Sequence, residues 1–233
     1  MRTATLGQLQ ADRQAKRRVV LATWLDGGDE RLIYPDEPAT DAVSAAALQA
    51  ASDDRSGIVE LPQGKVFLHV FNPPLRLVVV GAVHIAQPLS RMAALAGYDV
   101  TVIDPRGKFG TSDRFPGVML SNDWPDEGLT AFKPDARTAI VTLTHDPKLD
   151  DPALAAAVRS AAFYVGALGS RGTHGKRLQR LERDGLGAAE LARIRGPVGL
   201  DIGAKSPAEI AVSILAEITL ALRGGPKTAK QAA

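Results

Sequence analysis

The feature that most limits what this chain can fold into is a run, Leu75 to Val80, that is apolar but for Arg76 near its start and stops on Gly81. A strand alternating apolar and polar residues can lie half in water. One that is apolar throughout must be covered on both faces, as strands inside a parallel sheet are. Runs of the same kind follow at 99–103, 139–143, 163–167 and 198–200, with a weaker one at 118–120. A helix fills the interval from the first run to about Gly97, and helical patterns at 151–161, 173–184, 187–194 and 206–223 separate most of the others. Strands alternating with helices predict an α/β fold, a doubly wound parallel sheet. The last helix carries its own start signal: Ser206 as cap, Pro207 at the first position, and Glu209 placed to complete a capping box.

The residues before Asn72-Pro73-Pro74 follow another pattern. Residues 5–18 read as a polar amphipathic helix, and 19–25 and 31–34 as two strands joined around Asp26-Gly27-Gly28-Asp29. Asp41 caps an alanine-rich helix running to about Ser52, and 57–61 with 66–71 read as a hairpin. The expected organisation is a small α+β region over 1–74, the parallel-sheet domain over 75–223, and a polar tail, 224–233, that frays.

Bulk properties narrow the function classes. An apolar share of 45% and a charged share of 23% suit a soluble globular protein. A formal charge of +2, with no basic stripe interleaved with aromatics, gives no reason to expect a nucleic-acid partner. The chain has no cysteine, which excludes disulfides, thiolate metal sites and a cysteine nucleophile. The longest apolar stretch, 210–222, contains Glu217 and falls short of the roughly 20 residues of a membrane span. Lys16-Arg17-Arg18 ahead of a short apolar run mimics a signal peptide only faintly, since Asp26 ends the run and no cleavage site follows. The expected setting is the cytoplasm, with no membrane association.

In a sheet of this kind ligands sit outside the carboxyl ends of the strands, so the turns there are the candidate site. Gly81-Ala82-Val83-His84-Ile85-Ala86 takes the place of a G-x-G-x-x-G/A turn, with Val83 where glycine normally lets a pyrophosphate approach. His84, in the first helical turn, fits equally a ligand contact and a plain polar helix residue. Asp104 ends the second strand, where a carboxylate accepts from a ribose diol, and Arg106 beside it could meet an extra phosphate. Thr144-His145-Asp146 offers a hydroxyl, an imidazole and a carboxylate, read either as a proton-transfer group or as a helix cap by Asp146. The stretch from Gly166 through Gly169, Ser170, Arg171, Thr173, Lys176 and Arg177 combines glycines, hydroxyls and cations at a helix start, which suits an anion. Asp201, Gly203 and Lys205 leave the last expected strand. No two histidines have H-x-x-x-H spacing, so no metal site is expected.

Taken in order, Gly81-Ala82-Val83-His84-Ile85-Ala86, Val102-Ile103-Asp104-Pro105-Arg106, Thr144-His145-Asp146, Gly166-Ala167-Leu168-Gly169-Ser170-Arg171 and Gly199-Leu200-Asp201-Ile202-Gly203-Ala204 resemble the Rossmann domain of the XdhC/CoxI family, over about 150 residues. The family comprises accessory proteins of xanthine dehydrogenase and related molybdenum hydroxylases. The resemblance implies a maturation or insertion factor, chaperone-like, that binds the molybdenum cofactor (molybdopterin or its dinucleotide form) and delivers it to an apo molybdenum hydroxylase. Members usually show glycine where Val83 stands, and commonly carry an N-terminal domain with a cysteine and a G-S-T-like stretch. The first 74 residues have neither, so a separate CoxI-type chain is the expected source of that half. Two other readings stay open. One is an NAD(P)-dependent oxidoreductase with His145 or His84 as proton donor, supported by Asp104 and opposed by Val83. The other is a ligand-free Rossmann scaffold.

Overall fold

A computed structural model of the chain describes residues 2–224. The expected tail therefore lies outside the described residues beyond Gly224. The chain forms two compact units that divide between Pro73 and Pro74.

In the first unit, helix α1 (Thr3–Gln14) leads into strands β1 (Val19–Trp24) and β2 (Glu30–Ile33), helix α2 (Ala42–Ser52), and strands β3 (Gly57–Leu61) and β4 (Gly64–Phe71). The strands make an antiparallel sheet in the order β2-β1-β4-β3. Alternation along β1 divides its side chains between two small cores. Val20 and Ala22 pack with α2, whereas Val19 and Leu21 pack with Leu9 of α1. The first helix stops at Gln14 rather than 18, because Lys16 turns to a positive φ of 54° and its neighbour Arg17 bonds back to Asp12.

The second unit runs β5 (Leu75–Val80), α3 (Ala86–Leu95), β6 (Tyr98–Ile103), β7 (Met119–Ser121), α4 (Pro125–Phe132), β8 (Thr138–Thr142), α5 (Pro147–Arg159), β9 (Tyr164–Ala167), α6 (Arg171–Arg183), α7 (Ala188–Leu191), β10 (Ile194–Arg195) and α8 (Pro207–Arg223). All six strands are parallel, in the order β10-β9-β8-β5-β6-β7. The chain builds outward from β5 in one direction, then returns to β8 on the other side and builds the opposite way. The turns after β5 and β8 therefore part company and leave a crevice between them. Leu77 and Val79 face a core shared with Leu89 of α3 and Ile214 of α8, while Val78 and Val80 face one shared with Leu154 of α5. Every residue of β5 from Leu77 to Val80 is fully buried, which is why those four are all apolar.

Two expectations are corrected. Residues 198–200 are not a strand: Pro197 has no N–H to continue a ladder, and only Val198 reaches the sheet, donating to the Ala167 carbonyl. The edge strand is instead Ile194–Arg195, at the end of what reads as a helix over 187–194. Ile194 is drawn off that helix to pair with Val165 and bury itself. In addition, α4 escapes the sequence pattern, since Gly128 sits in its middle and weakens the helical signal. A side chain there would come within 3.1 Å of Ile103, so the helix reaches β6 only because that position is bare.

The α8 start is built as the sequence expects. Ser206 Oγ accepts from the Glu209 amide, and Glu209 accepts from the Ser206 and Lys205 amides. Ser206→Ala should lower stability by about 1 kcal/mol, measurable as a shifted urea midpoint with unchanged slope. Among the described residues, no helix is long and apolar enough to cross a membrane.

Candidate functional site

Four parallel strands bearing candidate turns, β5, β6, β8 and β9, end on one edge, and three of those turns are joined there by direct contacts. Gly81, with φ of 106°, presses against Thr144. A Cβ on Gly81 would stand 2.5 Å from the Thr144 methyl. The Thr144 hydroxyl donates to Asp150 Oδ1 at 2.7 Å, on the first turn of α5. Asp150 Oδ2 lies 3.5 Å from Nη2 of Arg177 on α6, and that nitrogen donates to the Leu168 carbonyl at 2.8 Å. A continuous line thus runs from the end of β5, past β8, to the loop after β9.

Asp150 and Arg177 are 1% and 2% exposed at their side chains, yet their ion pair is long and has few supporting bonds. Burial pushes the Asp150 carboxyl up, although the Thr144 hydroxyl and the Arg177 charge oppose it. Burial likewise pulls the Arg177 guanidinium down, with the Asp150 and Asp151 charges acting against it. Each partner is driven towards neutrality. Arg177 Nε and Nη1 are buried and have no hydrogen-bond acceptor among the described residues. Beside this pair, Arg180 grips Asp151 through two bonds of 2.6 and 3.0 Å.

The second cluster closes the turn after β6. Asp104, 1% exposed, accepts from the Ala82 amide at 2.7 Å, and from the Arg106 amide, Nε and Nη2 at 2.9 Å each. Both of its oxygens are engaged inside the chain, and Arg106 covers the side where a ribose diol would bind. The guanidinium also stacks on half-exposed Phe109, 4.7 Å from the ring centre. The bond to Asp104 holds Arg106 charged against the effect of burial, and the charges of Asp146 and Asp150 act in the same sense.

Burial alone would raise the Asp104 carboxyl, but the Arg106 side chain and the two amides outweigh it and hold it below its ordinary value. A depressed folded-state pKa stabilises above the unfolded value of about 3.9, and the contribution is lost as pH falls through the folded value. Asp104→Asn should therefore flatten the acid limb of the stability profile below about pH 4. Urea midpoints between pH 3 and 7 test this. An unchanged acid limb would contradict the geometry.

The other expected residues fall as follows. Val83 is half-buried against the core beneath α3, and His84 is exposed just before that helix. His145 is exposed and takes a left-handed φ of 63°, uncommon for a residue with a side chain. Its charge acts on Asp150. Asp146 caps α5 by accepting from the Lys148 amide. Gly166 serves packing: a Cβ there would lie 2.6 Å from Val198 and 2.8 Å from the Tyr164 hydroxyl. Ser170 caps α6 by accepting from the Thr173 amide, and Arg171, Thr173 and Lys176 are exposed around that helix start. Among the described residues, no hydrogen bond or ion pair links Asp201 or Gly203 to the rest of the rim.

Sequence reasoning left Asp150 out of the candidate set and counted Arg177 only as one of several cations offered to an anion. A signal was present. Asp150-Asp151 on one helical stretch and Arg177 with Arg180 on the next can oppose each other face to face, since residues three apart share a helix side.

The ordered turns and the strand order are matched by comparison with known proteins. The family model of the XdhC Rossmann domain matches residues 77–218. The chain belongs to the XdhC family. It is 34% identical over 148 residues to the molybdenum cofactor insertion chaperone PaoD of Escherichia coli, covering 64% of this chain and 40% of that protein. It is 34% identical over 154 residues to a probable xanthine dehydrogenase subunit of Bacillus subtilis, covering 66% of this chain and 44% of that protein. The chain thus spans less than half the length of these curated relatives. A crystal structure from Bacillus halodurans, described as a xanthine dehydrogenase, aligns with a TM-score of 0.66 at 22% identity, over 97% of this chain and 66% of that one. That likeness speaks for the fold of this XdhC-family chain.

Proposed function

We propose that this XdhC-family chain is a cytoplasmic molybdenum cofactor insertion factor. It binds the phosphate-bearing pterin as cargo and passes it to an apo hydroxylase of the xanthine dehydrogenase type. The observation that carries the reading is the Rossmann-domain match over 77–218, together with a relative named for cofactor insertion. The chemistry of the rim is compatible. A helix start ringed by Ser170, Arg171 and Lys176 suits a phosphate, and two unpaired donors on Arg177 are available to an oxyanion. These 233 residues hold no cysteine, so a step on a cysteine sulfur falls outside them, and a separate CoxI-type chain is the candidate for it.

The rim gives less support to an oxidoreductase using NAD(P). Asp104 is engaged by Arg106, the Ala82 amide is taken, and Val83 stands where a pyrophosphate would approach. Titration with NADH and NADPH should give dissociation constants weaker than about 100 μM, corresponding to less than about 5 kcal/mol of binding. The main test is genetic and chemical together. Deletion should leave the hydroxylase protein present but short of cofactor, and the purified chain should carry molybdopterin species detectable by mass spectrometry. Full hydroxylase activity after deletion, with no pterin bound to the chain, would remove the proposal.

A further inference from the structure

We infer that the phosphoryl group of the ligand is received at the turn between β9 and α6, with buried Arg177 beneath it, and not at the glycine turn after β5. This deepens the cofactor reading and rests on it for the identity of the natural ligand. The site itself rests on the geometry.

The turn after β5 is poorly disposed to an anion. Its Ala82 amide already donates to a buried carboxylate, so an approaching phosphate meets Asp104 in place of a free N–H. Val83 adds bulk at the point of closest approach. The turn after β9 differs on each count. The amides of Arg171 and Gly172 precede the first intrahelical bond of α6, from His174 to Ser170, and take no acceptor among the described residues. The helix dipole adds positive potential at the same place.

Arg177 supplies the independent observation. It is 2% exposed, and while Nη2 is engaged by Leu168 and Asp150, Nε and Nη1 have no acceptor. Buried guanidinium donors left unpaired are costly, and a native site normally supplies their acceptor. Nη1 lies 3.8 Å from the point where a side chain on Gly169 would begin. Gly169 has φ of 146° and no Cβ, so the nearest groups to that point are the Cβ and methyl of Thr173 at 3.2 Å, with the guanidinium next. An oxyanion seated against Gly169 would meet the guanidinium from one side and the first amides of α6 from the other. A planar fork with two free donors suits phosphate oxygens.

The probes are inorganic phosphate and inorganic pyrophosphate, titrated into the full chain at constant ionic strength, with amide shifts and calorimetry as readouts. The expected result is saturable binding that shifts the Arg171 and Gly172 amides. Binding should weaken at least about tenfold in Arg177→Lys, which keeps the charge opposite Asp150 but loses the fork. Arg183→Ala, an exposed cation at the far end of α6, should bind as wild type does. A preference for pyrophosphate would assign a bridging dinucleotide tail, and a preference for phosphate a monoester. Four results would overturn the site: no binding beyond that of chloride; shifts confined to residues 83–85; Arg177→Lys binding as wild type does; or equal weakening in both variants. The amide shifts of the wild-type chain decide the matter even where Arg177→Lys folds poorly. Normal phosphate binding by a chain whose deletion leaves hydroxylase activity full would sink the cofactor reading alone; no phosphate binding by a chain whose deletion leaves the hydroxylase short of cofactor would sink this site alone.

Discussion

Arg177→Met should lower folding stability by about 3–5 kcal/mol, the penalty for leaving one half of a buried ion pair uncompensated. Asp150 would then sit at 1% exposure with Thr144 as its one hydrogen-bonding partner among the described residues. The same reasoning predicts partial recovery when both charges go. Asp150→Leu with Arg177→Met removes two desolvation penalties at once, and for a pair separated by 3.5 Å the attraction given up is modest. The double variant should therefore be more stable than Arg177→Met alone by about 1–4 kcal/mol. Chemical denaturation of the four proteins, wild type included, forms a double-mutant cycle. Simple additivity of the two single losses would show that the pair is not coupled. If ligand is what completes this network, the double variant should be a stable protein that no longer responds to pyrophosphate.

Gly81→Ala is the second large effect, expected at about 2–5 kcal/mol from two separate sources. A φ of 106° lies outside the left-handed basin that L-residues tolerate, which adds about 1–3 kcal/mol of strain. The new methyl would also meet the Thr144 methyl at 2.5 Å and the Thr144 amide nitrogen at 3.4 Å, an overpacking of about 1–3 kcal/mol. Thr144→Ala added to Gly81→Ala removes the closer clash but not the strain, so it should recover part of the loss and no more. Full recovery would mean that the backbone conformation carries none of the effect. Because Thr144 holds Asp150, and Asp150 faces Arg177, the single variant should also disturb the amides after β9, two strands away. Backbone chemical shifts of Leu168 and Gly169 would register that.

Much of the architecture was legible because its causes are local or periodic. Mostly apolar runs such as 75–80, broken by Arg76, and 139–143, broken by Thr142, announce burial on both faces, and they form adjacent central strands. The caps at Asp41 and Ser206 depend on partners only three residues away, within reach of inspection. The run at 198–200 misled for a reason that lies elsewhere in the chain. Val198 is apolar and buried, but it is buried by packing against Gly166 and its neighbours, not by pairing.

The rim residues show the same division more sharply. The order of turns along the chain, and the residue types in them, pointed to one edge of one sheet and to an XdhC-family domain. Their assignments within that edge were not available from order. Asp104 looks in sequence like an acceptor for a ligand, and in the fold it is the anchor of Arg106, because the polypeptide turns back within two residues and brings the guanidinium onto it. Asp150 and Arg177 stand 27 residues apart and meet only after α5 and α6 have docked on the same face of the sheet. Sequence by itself determined most of the strands and helices, where most of these start, and which turns are chemically equipped. The tertiary structure decided which charges neutralise one another and which donors remain unpaired. Burial makes an unpaired polar group costly, and burial is a property of the packed layers, not of any stretch of chain.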